Sequence, residues 1–197
     1  MKQITFAAIG AIIILTLAYC TQESPKTAPA DTQATISSAE MVKRGEYLVT
    51  IGGCNDCHSP KINGEVPDPD RLLSGHPADE KLPLISDKKM IAPGQWALCS
   101  SGLTAWVGPW GTSFAANLTP DDTGIGNWTE AQFFKAIREG KLKGLDGTRP
   151  LLPPMPWFNF AQMSDEDLQA IFAYLKSLPP VNNAVPNPIP PTKMFSE

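Results

Sequence analysis

Cys54-Asn55-Asp56-Cys57-His58 is the one run in this 197-residue sequence that puts two thiols and an imidazole within five consecutive positions. Thiols three residues apart at the end of a helix can reach the two vinyl groups of one porphyrin and add to them as thioethers. The adjacent imidazole can then turn under the ring and ligate iron. Three other chemistries compete for these residues. A thioredoxin-like thiol pair would sit between a strand and a helix, whereas here a helical pattern precedes the motif. A zinc site would want two further ligands, and Cys99 and His76 stand at irregular spacing. A disulfide between Cys54 and Cys57 would close a strained loop. The spacing points to one covalently attached haem c, held by Cys54 and Cys57, with His58 on the proximal side of the iron.

The iron then needs a sixth ligand or keeps an open position. Six Met and one further His are the choices. Met155 lies in Leu152-Pro-Pro-Met-Pro-Trp157, where prolines on both sides restrict the backbone and hold one side chain in place; the plainer alternative is a thioether filling a gap in the core. Met163 directly precedes Ser164, a helix N-cap, and is placed to staple onto Leu168. Met90 stands in a polar context, and Met41 faces a partner helix. His76 would give a bis-His site or serve as a loop residue bonding backbone.

Three helices must position these groups. The first starts at Ser37 with Glu40 as its capping-box partner, carries Met41, Gly45, Leu48 and Gly52 along one face, and ends at Gly52-Gly53. The second follows Thr129, with Gln132 as box partner, Phe133, Phe134 and Ile137 on its apolar face, and Gly140 as its stop. The third is capped by Ser164 with acids in its first turn, presents Leu168, Ile171, Phe172 and Leu175, and ends before Pro179-Pro180. These periodicities predict an all-α domain. Between the first two helices, roughly 59–116 reads as a long irregular insertion of ordered loops holding Trp96, Trp106 and Trp110 among glycines and prolines. The Pro-rich stretch 179–197 reads as an extended surface tail.

Composition excludes several classes. With 42 % apolar and 18 % charged residues the chain is globular. A net charge of -4 offers no basic face for nucleic acid, and 4 Cys are too few for a disulfide scaffold. Met1–Lys2 followed by an uncharged apolar run to Cys20 reads as an export signal, short for a membrane span. Leu17-Ala-Tyr-Cys20 resembles a bacterial lipobox, so Cys20 is the expected lipidation site; an uncleaved anchor within 1–20 is the alternative. Residues 21–36 are a polar tether. The domain proper would run 37–197, outside the cytoplasm. Cys99 reads as a small buried residue.

The motif at 54–58, followed by Asn117-Leu-Thr-Pro-Asp121, Thr123-Gly-Ile-Gly126, Trp128, the Phe133–Gly140 helix, Pro154-Met-Pro-Trp157 and Leu168–Leu178, resembles class I monohaem cytochromes c. The likeness is greatest to the modules in cytochrome subunits of membrane-bound bacterial dehydrogenases, and it covers about 41–181. It implies that Met155 is the distal ligand, that Gly45 and Tyr174 mark the crossing of first and last helices, and that Asn117, Trp128 and Arg138 surround the haem or its propionates. Those subunits carry three such motifs, whereas this chain carries one.

The expected function is electron transfer with His/Met ligation. A chain tethered to the membrane by lipid or an N-terminal anchor, on the periplasmic side of a bacterial envelope, would take electrons from a dehydrogenase or quinol-oxidising complex. It would pass them to an oxidase or soluble carrier, docking through loops 91–116. The rivals are a peroxidase-like haem enzyme with Met155 off the iron and a thiol oxidoreductase using Cys54 and Cys57.

Overall fold

A computed structural model describes residues 37–194. Five α-helices run in the order α1 (Ser38–Ile51), α2 (Cys54–His58), α3 (Glu130–Glu139), α4 (Trp157–Phe160) and α5 (Asp165–Ser177). Each long helix begins where the sequence supplies a cap. Ser37 and Glu40 close a capping box at α1, and Thr129 with Gln132 closes one at α3. At α5 the Ser164 hydroxyl accepts the Asp167 N–H, satisfying a donor that would otherwise lack a partner.

Helices α1 and α5 cross at Gly45. A Cβ there would lie 1.9 Å from the Ala170 carbonyl oxygen and 2.7 Å from Tyr174 Cβ, so only glycine permits this backbone approach. The core gathers around that crossing: Leu48, Val49, Ile125, Phe133, Leu168, Ile171 and Leu175, with Met41 and Met163 packed against it. Burying one such large side chain contributes about 1.5–3 kcal/mol. Met163, the residue before the Ser164 cap, packs against the core cluster to which Leu168 belongs.

The all-α expectation is overturned. Two antiparallel sheets lie within the insertion: β1 (Lys61–Ile62) pairs with β2 (Val66–Pro67), and β3 (Leu98–Cys99), β4 (Ala105–Gly108) and β5 (Gly111–Phe114) form a three-stranded sheet in that order. Strands of two to four residues, broken by glycine and proline, are too short to show an alternating pattern in sequence. They exist because tertiary partners complete them. The Ala115 N–H donates to Thr104 O at 2.8 Å, and Thr112 exchanges two hydrogen bonds with Ile189 of the tail, at 2.8 and 3.0 Å. At Gly111, φ is +100° and a Cβ would stand 2.1 Å from Ile189 O, so the tail seats directly on the strand.

The tail is extended and pinned. Val181 N–H donates to Thr119 Oγ1 at 3.1 Å. Asn183 bridges further: its Nδ2 donates to Ser74 O at 2.7 Å and His76 O at 2.9 Å, while its Oδ1 accepts the Ala78 N–H at 3.0 Å. Among the described residues no helix is long and apolar enough to cross a membrane. The candidate signal, Cys20 and the tether at 21–36 lie outside the described residues.

Candidate functional site

Helix α1 hands the chain directly to the Cys-x-x-Cys-His turn. Gly52 caps α1, and Gly53, at φ +66°, reverses the backbone so that Cys54 opens α2. The turn is then tied down from below. Ser59, fully buried, donates its hydroxyl to Asn55 Oδ1 at 2.7 Å and accepts the Leu73 N–H at 2.8 Å. Leu73, also fully buried, is held at φ +59°, a conformation a leucine adopts only when its surroundings enforce it. Its carbonyl accepts the Leu118 N–H at 2.8 Å, linking this wall to the 117–123 loop.

His58 is oriented by backbone alone. Its Nδ1 faces the Ala116 carbonyl oxygen at 2.7 Å, so the ring nitrogen donates there and Nε2 keeps its lone pair for a metal. The Gly75 N–H donates to the His58 carbonyl at 2.7 Å. Gly75 has φ +82°, and a Cβ on it would lie 2.6 Å from Ala115 O, so the 115–117 backbone can approach only because this residue is glycine. Burial holds the His58 imidazole below its ordinary pKa, which favours the neutral, ligating form.

Cys54 and Cys57 are half-buried on the same turn and are not joined to each other in a disulfide. Burial pushes the Cys54 thiol up to about 11. Burial also raises Cys57, aided by the Asp56 carboxylate and opposed by the Lys61 ammonium. A redox-active thiol pair needs a depressed pKa and an attacking thiolate; these two thiols have the opposite setting, which counts against the thiol-oxidoreductase rival. The chemistry fits a covalent porphyrin: two thiols on one turn with no disulfide between them, followed by an imidazole whose Nε2 is left for a metal.

The Met155 loop is braced on two sides. Ser113 Oγ of β5 donates to Pro153 O at 2.5 Å, and the Leu151 N–H donates to Gly140 O at 2.7 Å. Trp157, which opens α4, lies against the end of α3: a Cβ on Gly140 would fall 2.4 Å from its indole. Met155 itself is half-buried, and its N–H donates to Leu152 O at 3.2 Å. The other described methionines are placed elsewhere. Met41 and Met163 pack on the core, Met90 is exposed in the insertion, and Met194 caps a short helical turn in the tail.

His76 is 1 % exposed, bonds Thr104 Oγ1 through Nδ1 at 2.8 Å and stacks on Phe114 with ring centroids 4.8 Å apart. It follows Gly75, the residue bonded to the His58 carbonyl, so it belongs to the proximal wall. Asn117 is turned to the protein. Its Nδ2 donates to Val181 O at 2.8 Å and Thr123 Oγ1 at 3.2 Å, and its Oδ1 accepts from Thr119 N at 2.9 Å. Trp128 packs at the edge of the core before α3, with its backbone N–H donating to Ile125 O. Arg138 spans α3 to α5, bonding Ala161 O and pairing with Asp165 at 2.6 Å. Cys99, expected to be buried, is exposed on the short edge strand β3; its surroundings read as apolar because Trp96 precedes it, but that tryptophan is itself 68 % exposed. The Ala116 carbonyl, Lys61 and Asn183 were not legible as site residues. A backbone acceptor leaves no mark on residue type. Lys61 carried one signal, a cation just past the end of a short helix.

Comparisons with known proteins agree with this geometry. A family profile described as cytochrome c matches residues 42–179. The gluconate 2-dehydrogenase cytochrome c subunit of Pantoea cypripedii is 33 % identical over 168 residues, 85 % of this chain and 27 % of its own length. The quinone-type alcohol dehydrogenase cytochrome c subunit of Gluconobacter oxydans is 32 % identical over 135 residues, 68 % and 20 % respectively. The fructose dehydrogenase cytochrome subunit of Gluconobacter japonicus is 27 % identical over 171 residues, 86 % of this chain and 28 % of that protein. The chain thus spans less than a third of each of these relatives. Two half-buried thiols on one turn, an imidazole aimed by a backbone carbonyl and a match across most of the described domain lead to one conclusion: the chain belongs to the cytochrome c family, electron-transfer proteins with covalently bound haem c.

Proposed function

We propose that this chain relays single electrons through one haem c, joined by thioethers to Cys54 and Cys57 and ligated by His58 and Met155. The observation that carries the reading is the His58 Nδ1–Ala116 O hydrogen bond of 2.7 Å. It commits one imidazole nitrogen to the protein and leaves the other for iron. The haem supplies a one-electron Fe(III)/Fe(II) couple. The chain's own residues keep its surroundings unchanged between the two states: Ser59 and Gly75 hold the proximal turn, and Ser113 and the prolines around Met155 hold the distal loop. A Met155 thioether would favour Fe(II) more than a second imidazole would, and with His58 and Met155 both holding the iron none of its positions would be left for peroxide. The remaining described methionines are occupied in core, surface or tail, which supports Met155 over them.

The relatives' names support a donor of the dehydrogenase type. The apolar run ending at Cys20 supports a lipid or N-terminal anchor on the outer face of a bacterial membrane, with an oxidase or soluble carrier as acceptor. The deciding experiment is the optical spectrum of the purified ferric protein. A sulfur-to-iron charge-transfer band that disappears in Met155→Ala and persists in Met163→Ala is expected. A high-spin ferric spectrum with peroxide binding in the wild type would replace this reading with the peroxidase-like one. Membrane fractionation tests the tether, with loss of membrane association in Cys20→Ala as the expected result.

A further inference from the structure

Lys61 stands three residues past His58, at the start of β1, and its ammonium turns back under the haem-attachment turn. Nζ donates to the carbonyl oxygens of Asn55 at 3.0 Å, Asp56 at 2.9 Å and Ser59 at 2.6 Å. These carbonyls come from the turn that carries Cys54, Cys57 and His58. A five-residue helix leaves its last carbonyls short of intrahelical donors, and the Ser59 N–H reaches Asn55 O only at 3.3 Å. A cation at that end satisfies them and meets the negative end of the aligned peptide dipoles.

The β1–β2 hairpin is what aims the side chain. Lys61 pairs with Pro67 and Ile62 with Val66, and the connection passes through Asn63 and Gly64, both at positive φ. The Asp68 N–H closes the base of the hairpin on Pro60 O at 2.9 Å. Among the described residues Lys61 forms no ion pair. The nearby Asp56 carboxylate is exposed, where solvent screens it. The lysine is half-buried, so its own charge is screened less.

We infer that Lys61 is a positioning residue for the haem: it clamps the Cys54–Ser59 turn through three carbonyls and holds a half-buried positive charge beside His58, only partly offset by the exposed Asp56 carboxylate, which disfavours Fe(III) and raises the reduction potential. The inference rests on the reading above that Cys54, Cys57 and His58 hold the haem. A unit charge acting at low effective dielectric shifts a one-electron equilibrium on the order of ten-fold.

The test is potentiometric titration of the purified holoprotein in three variants. Lys61→Met removes charge and donors, Lys61→Gln keeps a donor without the charge, and Lys61→Arg keeps both. The expected result is a fall of about ten-fold in the equilibrium constant for reduction in Lys61→Met and Lys61→Gln, equivalent to about 59 mV for one electron, with Lys61→Arg near the wild type. Haem-loaded Lys61→Met at wild-type potential overturns the inference. So does an equal fall in Lys61→Arg, since that variant retains the charge. If Lys61→Met does not accumulate with haem, the Lys61→Gln and Lys61→Arg pair decides, and equal potentials overturn it. A wild-type chain that attaches no haem sinks the functional reading and this inference together, whereas haem-loaded variants at unchanged potential sink this inference alone.

Discussion

His58 and Ala116 are 58 residues apart in the chain, yet the imidazole Nδ1 donates to the Ala116 carbonyl oxygen across 2.7 Å. The whole insertion lies between them. Its far end returns to the haem-attachment turn and fixes the tautomer and plane of the proximal ring, so the segment 59–116 is part of the site. A neighbouring contact shows how tightly: Gly75 holds the His58 carbonyl and presses against Ala115 and Asn117 at once.

Gly75→Ala should therefore disturb iron ligation without touching a ligand. The added Cβ would meet backbone at 2.6–2.7 Å from a residue already at φ +82°. A loss of about 2–4 kcal/mol is expected from the clash and the left-handed strain. Thermal denaturation followed at the Soret band measures it, together with a broadened or partly high-spin ferric spectrum.

At the helix crossing, Gly45→Val should be more damaging still. Its Cβ would sit 1.9 Å from Ala170 O, so α1 and α5 must separate and the core around Leu48 and Leu168 must open. A cost of about 3 kcal/mol or more is expected, read as a large drop in midpoint by circular dichroism. A variant as stable as the wild type would show that the two helices do not cross here.

The tail contributes stability through one side chain above the others. Asn183→Ala removes three hydrogen bonds, to Ser74 O, His76 O and Ala78 N, and leaves the carbonyls of two buried residues without that donor. About 1–3 kcal/mol should be lost. Because no iron ligand moves, the charge-transfer band should remain.

Stability should also fall on mild acidification because of His76. Burial holds its imidazole below the free value of 6.5, against the pull of Glu80. The unfolded chain takes up a proton near pH 6.5 while the folded chain resists it, so the unfolded state binds more protons just below that pH. The contribution is complete above pH 6.5 and declines as pH falls towards the depressed folded value. In holoprotein, where the proposed iron bond would keep His58 from titrating, His76→Gln should flatten the stability profile just below pH 6.5.

Of the three insertion tryptophans, Trp106 and Trp110 turn inward, donating to Leu103 O at 2.8 Å and Ser113 Oγ at 3.2 Å, while Trp96 is 68 % exposed. If 91–116 is the docking face, Trp96→Ala should slow reduction by the physiological donor about three- to ten-fold and leave the optical spectrum unchanged. Stopped-flow reduction by that donor, with a small chemical reductant as control, separates the two effects.

The sequence alone determined the local features: the Cys54–His58 motif, the capping boxes at Ser37 and Thr129 and the Ser164 cap, while the glycine at the helix crossing came from the resemblance. Each depends on residues within about one helical turn, or on a side chain whose absence is itself the signal. What only the tertiary structure decided were the two sheets, the exposure of Cys99, the turning of Asn117 towards the tail, and the partners of His58 and Lys61. Strands of two to four residues have no period to read, and a backbone carbonyl is the same group in every residue. Which carbonyl meets His58 is settled by how the 57 intervening residues fold back, and no single position in the chain encodes that.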